Sequence, residues 1–429
     1  MAVKVWLPLS GDTTTNKGLS TITTTVTGTA TYASGILGGK SFTSGAASVG
    51  FTLAGAAPAE FTVSFWVKEG VGAATGTSIF AIGTAACQKT STGYEISDLA
   101  SGDLFTLTSG WNHVAITATG NKVLAYVNGV AQDEVTQSGS LSANSAVVIG
   151  GDWAGNIEEF KILDKAMSKF EAYSEAQGLV INYGFNGVQS LGAGVSLPTG
   201  TTAADWGFGV KEYDLSGNEF DATYGTIKPS NSSDSAIYSS AMDFTGADAL
   251  TSPVIDTTQL VGRYTVNVWA KASGEVATFT AGATLSASDA TGWHMYTATS
   301  DGTLYVDGVE DTSGDATGLI TSSAENGLTI GGSLGGAISD FRLYATEFTA
   351  DEVLALYKRR VSVDNFGKVI ASEFIATDDV LKPSFSKKGI VSAPAIANYA
   401  MDNEEAVNVT KFNITAEDGA LNAVDVIEL

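Results

Sequence analysis

Two histidines, one cysteine and a few closely spaced acids are the groups of this sequence best suited to making or breaking bonds. Histidine is the natural acid or base near neutrality, and His113 and His294 fall in the related segments GWNHVAIT and GWHMYTAT. Aligning Trp111 with Trp293 sets Asn112 against His294 and His113 against Met295, so neither imidazole recurs and both are expected to be satisfied strand residues. Glycoside hydrolysis needs two carboxylates on one face at a fixed separation. Glu158 and Glu159 are adjacent and would point to opposite faces of a strand. Glu212 with Asp214, and Glu219 with Asp221, have same-face spacing but flank a glycine-containing turn. No Walker loop, HExxH or CxxC pair is present, which removes the nucleotide and zinc readings. The expectation is a protein that is not an enzyme. If a metal is bound, the supply of oxygen ligands and near absence of nitrogen and sulfur favour calcium.

Charge narrows the partners. Against 46 acidic side chains stand 22 basic ones, a net −24 whose field repels phosphate backbones and anionic headgroups. Nucleic acid and membranes are therefore not expected as partners. The start MAVKVWLPLSGD lacks the long apolar stretch of an export signal, and Cys87 has no second cysteine to pair with.

Forty-nine glycines with abundant Thr, Ser, Ala and Val, and only 16% charged residues, describe many short strands joined by tight turns. The fold class is all-β. Within it the chain repeats itself. FTVSFWVK (61–68) matches YTVNVWAK (264–271), and YVNGV (126–130) matches YVDGV (305–309). VIGG (148–151) matches TIGG (329–332), and Phe160 and Phe341 follow at the same distance. Asn128-Gly129 and Asp307-Gly308 are type I′ hairpin dipeptides. Ser168 with Glu171, and Thr349 with Glu352, have the capping-box spacing that starts a helix at the end of each copy. The paired Trp66 and Trp269, and Trp111 and Trp293, read as core. Trp6 sits on the strand face opposite Val5 and Leu7, where it could meet the neighbouring domain.

Trp153 in GGDWAGN and Trp206 in ADWGFG lie in glycine-rich loops beside Asp152 and Asp205. An exposed aromatic face with a carboxylate neighbour suits sugar stacking, so these four residues are the carbohydrate-binding candidates. The competing reading makes each tryptophan a loop anchor folded over the edge of its domain.

The FTVSFWVK strand, the GWxH strand, the LYVDG hairpin, the LTIGG strand and the IxDFRLY strand with its helix resemble the laminin G-like, concanavalin A-like jelly-roll superfamily. The resemblance implies two tandem jelly-roll sandwiches, residues 1–177 and 178–360, followed by a small C-terminal β region, 361–429. It points to Asp214 and Asn218 of the DLSGN loop, and to Asp340, as Ca2+ ligands; the competing reading has Asp214 and Asn218 bond their own turn. The opening KVWLPLSGDTTTNKGLS is similar to laminin G-like virion proteins of tailed bacteriophages. That implies a virion structural or appendage protein, with capsid, tail or fibre components as partners, glycans as ligands and a homo-oligomer, a trimer favoured. In residues 361–429, RVSVDNFGKVIASEFIA reads as a hairpin turning at 365–367, and the segment serves either as a docking or oligomerising tail or as a third small β-domain. A glycan depolymerase, a bacterial surface adhesin and a pure spacer are the alternative roles.

Overall fold

A computed structural model describes residues 3–12, 15–56, 58–100, 102–185, 211–225, 229–232, 236, 241–314, 316–363 and 369–374. The chain divides into two compact units, Met1–Gly178 and Leu179–Leu429. It is mostly antiparallel β structure, as its glycine and β-branched content dictates.

Unit 1 is two facing sheets. The larger runs Val130–Ala131, Lys122–Val127, Trp111–Thr119, Phe61–Glu69, Gly155–Leu163, Lys40–Ser44, Thr31–Ser34, with Val3–Leu7 also paired to Gly155–Leu163. The smaller runs Thr25–Thr27, Ser48–Leu53, Ser145–Gly150, Ser78–Ile82, Ala85–Lys89, Tyr94–Ile96. Alternation along Phe61–Glu69 sends Val63, Phe65 and Val67 between the sheets, where Phe65 stacks on Phe160 at 6.2 Å and meets Phe80 edge-on at 5.5 Å. Each such ring withdraws enough apolar surface to contribute about 2–3 kcal/mol.

Unit 2 repeats the plan with longer strands. Its main sheet runs Lys211–Glu212, Ala222–Tyr224, Ala249–Thr251, Leu328–Tyr344, Thr265–Phe279, Thr284–Thr299, Leu304–Val306, Val309–Glu310. The 17-residue strand Leu328–Tyr344 corresponds to Ser145–Gly150 and Gly155–Leu163 of unit 1 joined end to end. Thr265–Phe279 likewise spans what Phe61–Glu69 and Ser78–Ile82 form separately, because ASGE replaces the longer connection GVGAATGT. Register shifts between Glu275 and Ala277, where residues are skipped on the partner strand, mark the join.

Each unit closes on a helix that covers the outer side of its sheet. Helix α1 spans Lys169–Ala176 and α2 spans Ala350–Lys358. Both capping boxes form: Glu171 N–H donates to Ser168 Oγ at 3.3 Å while Ser168 N–H donates to Glu171 at 2.9 Å, and Thr349 with Glu352 does the same at 3.3 and 2.7 Å. Beneath α1 lie Ala115, Tyr126, Leu163 and Met167; beneath α2 lie Trp269, Met295, Tyr305 and Tyr344, with Tyr357 stacked on Trp269 at 5.7 Å. The hairpin glycines meet these helices. Gly129 (φ +77) and Gly308 (φ +78) are left-handed as the I′ turn requires, and a Cβ there would stand 2.8 Å from Tyr173 Cα or 3.0 Å from Leu354 Cα. One dipeptide therefore both reverses the chain and admits the helix.

Beyond the second helix, Arg359–Val363 pairs antiparallel with Val369–Phe374, a hairpin around the anticipated 365–367 turn, itself outside the described residues. The rest of the 361–429 tail lies outside them as well. Among the described residues no helix is long and apolar enough to cross a membrane.

Candidate functional site

The acids suited to hydrolysis are absorbed by the framework of unit 1. Glu158 is buried and its carboxylate accepts the Ile36 and Leu37 N–H groups at 2.7 and 3.4 Å, closing the turn in which Gly35 leaves room for it. Glu159, on the opposite face and at φ +55, accepts the Trp6 indole N–H at 2.7 Å and pairs with Lys161 at 3.4 Å. Lys161 also pairs with Glu175 of α1 at 2.7 Å. Burial pushes Glu159 above the usual carboxylate range although Lys161 pulls it back. Burial likewise works against the Lys161 charge, but Glu175 and Glu159 outweigh it and raise its pKa. Trp6 thus finds its partner within unit 1 and carries the Lys161 and Lys17 ammonium groups 5.0 and 5.4 Å from its ring centre.

The histidines sit in unlike surroundings. His113 is buried, its Nε2 3.0 Å from Ser64 Oγ and its ring edge-on to Trp66 at 5.2 Å. Desolvation lowers its pKa to about 4, so it is neutral near pH 7. His294 is half-buried between two carboxylates, Asp307 at 2.6 Å and Asp289 at 3.3 Å. The stretch GGSLG (331–335) has the Gly-x-Ser-x-Gly order of a nucleophile elbow, but Ser333 lies within a continuous strand opposite Glu275 rather than at a strand-to-helix turn. Cys87 is fully buried, and desolvation raises its thiol pKa, which keeps it unreactive.

Trp153 is a correction to the sugar-stacking expectation. It is 0% exposed, with both faces of its ring inside the core, and its indole N–H donates to the Tyr94 hydroxyl at 3.1 Å. Tyr94 in turn donates to Glu69, which pairs with Lys89, so the tryptophan anchors a polar chain leading outward. Its position matches Leu334 in the second copy, equally buried, and counting from the shared Gly-Gly would have revealed the equivalence. Asp152 does stay exposed, accepting the Ser78 N–H at 3.4 Å. Trp206 and Asp205 lie outside the described residues.

The calcium expectation meets a loop already satisfied by its own chain. Asp214 Oδ1 accepts the Asn182 and Ser216 N–H groups at 2.9 and 3.0 Å, and its Oδ2 accepts Ser216 Oγ–H and Phe220 N–H at 2.7 and 3.2 Å. Asn218 donates to the Leu179 and Val180 carbonyls, both at 2.9 Å. Asp340 is buried and lies 2.9 Å from Arg342 Nε. Asp214 does not fit as a calcium ligand, because both of its oxygens are taken by N–H and O–H donors, and Asp340 faces the Arg342 cation. Among the described residues no group of three or more His, Cys, Asp or Glu is placed to hold a metal ion.

What Asp214 and Asn218 do instead is fix a loop that displays apolar side chains. Tyr213 is 38% and Leu215 53% exposed on either side of Asp214, and Tyr213 is the most exposed aromatic ring among the described residues. The preceding residue, Glu212, is buried, accepting Phe185 N–H at 2.8 Å and the Tyr224 hydroxyl at 2.7 Å. Burial lifts its carboxyl to about 7, against which the two hydrogen bonds work. Tyr213 offers an exposed aromatic ring, and Glu219 of the same turn segment is exposed as well, a combination suited to stacking on a sugar ring. Composition did not single out Tyr213; its neighbour Asp214 was the visible signal.

Two β units of jelly-roll plan, with their framework acids turned inward, define a lectin-like protein of concanavalin A type. The chain belongs to the concanavalin A-like lectin/glucanases superfamily, the Laminin_G_3 family, which matches residues 41–172 and 227–354. No curated protein matches it by sequence. Among solved structures it is similar to domain 4 of AbnA, an extracellular GH43 arabinanase from Geobacillus stearothermophilus in complex with arabinotriose. That likeness has 21% identity and a TM-score of 0.34 over 41% of this chain and 98% of the other. It is also similar to the receptor binding domain of botulinum neurotoxin mosaic serotype C/D, at 11% identity and a TM-score of 0.35 over 79% of this chain and 97% of the other. The binding domain of Paraclostridial Mosquitocidal Protein 1 shows 11% identity and a TM-score of 0.34 over 59% and 83%. Likeness at this level carries no argument about function.

Proposed function

We propose that the protein is a non-catalytic glycan-binding component of a tailed-phage particle, holding sugars on Tyr213 of unit 2. The observation that carries the sugar-binding reading is the pairing of an exposed ring with a loop immobilised by Asp214 and Asn218, since a pre-ordered platform loses little entropy on binding. The virion role is supported by the resemblance of the opening segment and by residues 361–429, whose sequence reads as a docking or oligomerising tail. Display in many copies would convert weak single sites into avidity gains of about 10² to 10⁴. The absence of catalysis is supported by Glu158 and Glu159, each consumed by internal contacts on opposite faces.

A glycan array probed with the full chain tests the reading. Tyr213→Phe should keep binding, while Tyr213→Ala should weaken it about tenfold or more, with Trp206→Ala as a parallel probe. Equal binding by Tyr213→Ala and the unaltered chain, or no glycan retained by the unaltered chain, overturns it.

A further inference from the structure

We infer that His294 is the latch of a pH-sensitive clamp at one end of unit 2, joining the Asp289 segment to the Asp307 hairpin and releasing Asp289 when the ring loses its proton. The imidazole has a carboxylate at each nitrogen: Asp307 Oδ2 lies 2.6 Å from Nδ1 and Asp289 Oδ2 lies 3.3 Å from Nε2. Only the protonated ring donates at both nitrogens; the neutral ring turns a lone pair toward one carboxylate. The longer, more exposed contact to Asp289 is the one that gives way.

Both carboxylates are tied to backbone, so the clamp acts on structure. Asp307 Oδ1 accepts the Met295 N–H at 2.9 Å, and the next residue, Gly308, rests on Leu354 of α2. Asp289 Oδ1 accepts both the N–H and the hydroxyl of Thr291 at 2.6 Å, and the Asp289 N–H donates to the Tyr296 hydroxyl at 3.2 Å. The groups facing the ring are Asp289 and Tyr296 from its own strand and Asp307 from the hairpin; on Thr265–Phe279 the position opposite His294 is the uncharged Ala270. From α2 the turn is met by Leu354 and Tyr357.

Unit 1 holds the same joint without charge. Asn112 stands where His294 does and Asn128 where Asp307 does; Asn128 Nδ2 donates to Asn112 Oδ1 at 3.2 Å, and Asn128 Oδ1 accepts His113 N–H at 2.9 Å. An amide pair does not titrate near neutrality, whereas the imidazole–carboxylate pair does. The duplicated fold therefore carries one pH-independent and one pH-dependent version of a single contact.

The hydrogen bond to Asp307 raises the His294 pKa, with burial opposing it and the charges of Asp307 and Asp289 adding to it. A raised folded-state value means the contact is complete below the unfolded value of about 6.5 and is lost as pH climbs through the folded value above it.

With only two histidines, imidazole NMR on the full chain resolves both. His294→Asn assigns the signals, and the double variant His294→Asn with Asp307→Asn installs the unit 1 pair. His294 should titrate above about 6.5 and Asp307→Asn should lower its midpoint by about tenfold in proton affinity. Amide protection factors over 288–293, corrected for intrinsic exchange, should fall about threefold or more through the same midpoint, and stay flat in the double variant. A midpoint at or below 6.5, or protection over 288–293 that ignores the titration in the unaltered chain, overturns the clamp.

Discussion

Asp340 and Arg342 meet at 2.9 Å beside a β-bulge in unit 2, and Glu159 and Lys161 occupy the same positions in unit 1 at 3.4 Å. Acid and base have been exchanged for different acid and base, yet the charge order is kept. In unit 1 the pair is extended by Glu175, so one ammonium serves two carboxylates.

Lys161→Met should leave Glu159 and Glu175 without their cation and destabilise unit 1 by about 3 kcal/mol. The readout is the urea midpoint of the unit 1 transition. An unchanged midpoint would mean that the two carboxylates find water instead.

Trp153→Ala should cost about 3–5 kcal/mol, the range for emptying a core site of that size. Asp152→Ala, one residue earlier and exposed, should stay within about 0.5 kcal/mol. Thermal unfolding of both variants separates an anchor from a surface residue.

Gly129→Ala and Gly308→Ala should each destabilise by more than about 1 kcal/mol, through left-handed strain and through collision with a helix. Gly110, at φ +90 with nothing within 4 Å of an added Cβ, isolates the strain. Gly110→Ala should cost less than either, measured by denaturant unfolding.

Glu212 links stability to pH. Its folded pKa of about 7 lies above the unfolded value of about 4.3, so its contribution is full below pH 4 and is lost as pH rises to 7. Unit 2 should lose about 2–4 kcal/mol between pH 4 and pH 8 from this group, and Glu212→Gln should flatten that slope. Unfolding curves at several pH values decide it.

Much of the fold was legible because its signals are local and duplicated. The capping boxes at Ser168 and Thr349, the hairpins at Asn128 and Asp307, and the core side of Val63 and Phe65 follow from residue type and period alone. Trp153 misled because its chemical type suggested a surface, while its place in the repeat, opposite buried Leu334, marked it as core. Asp214 misled in another way. A carboxylate in a turn reads the same whether it accepts amides or a cation, and only the Asn182 and Phe220 N–H groups, distant in sequence or direction, decide between them. The uninterrupted strands of unit 2 were hidden because a few residues fewer between Lys271 and Phe279 leave no compositional trace.

Those uninterrupted strands have a mechanical consequence. Leu328–Tyr344 is bonded to Thr265–Phe279 along almost its whole length. Leu179 pairs with Tyr344, so the two ends of unit 2 leave side by side, and a pull on them peels Leu179–Tyr183 away before any load reaches that ladder. Val3 pairs with Leu163 in the same way, so under tension each unit should open first at its opening strand, with the long seam of unit 2 the last to part.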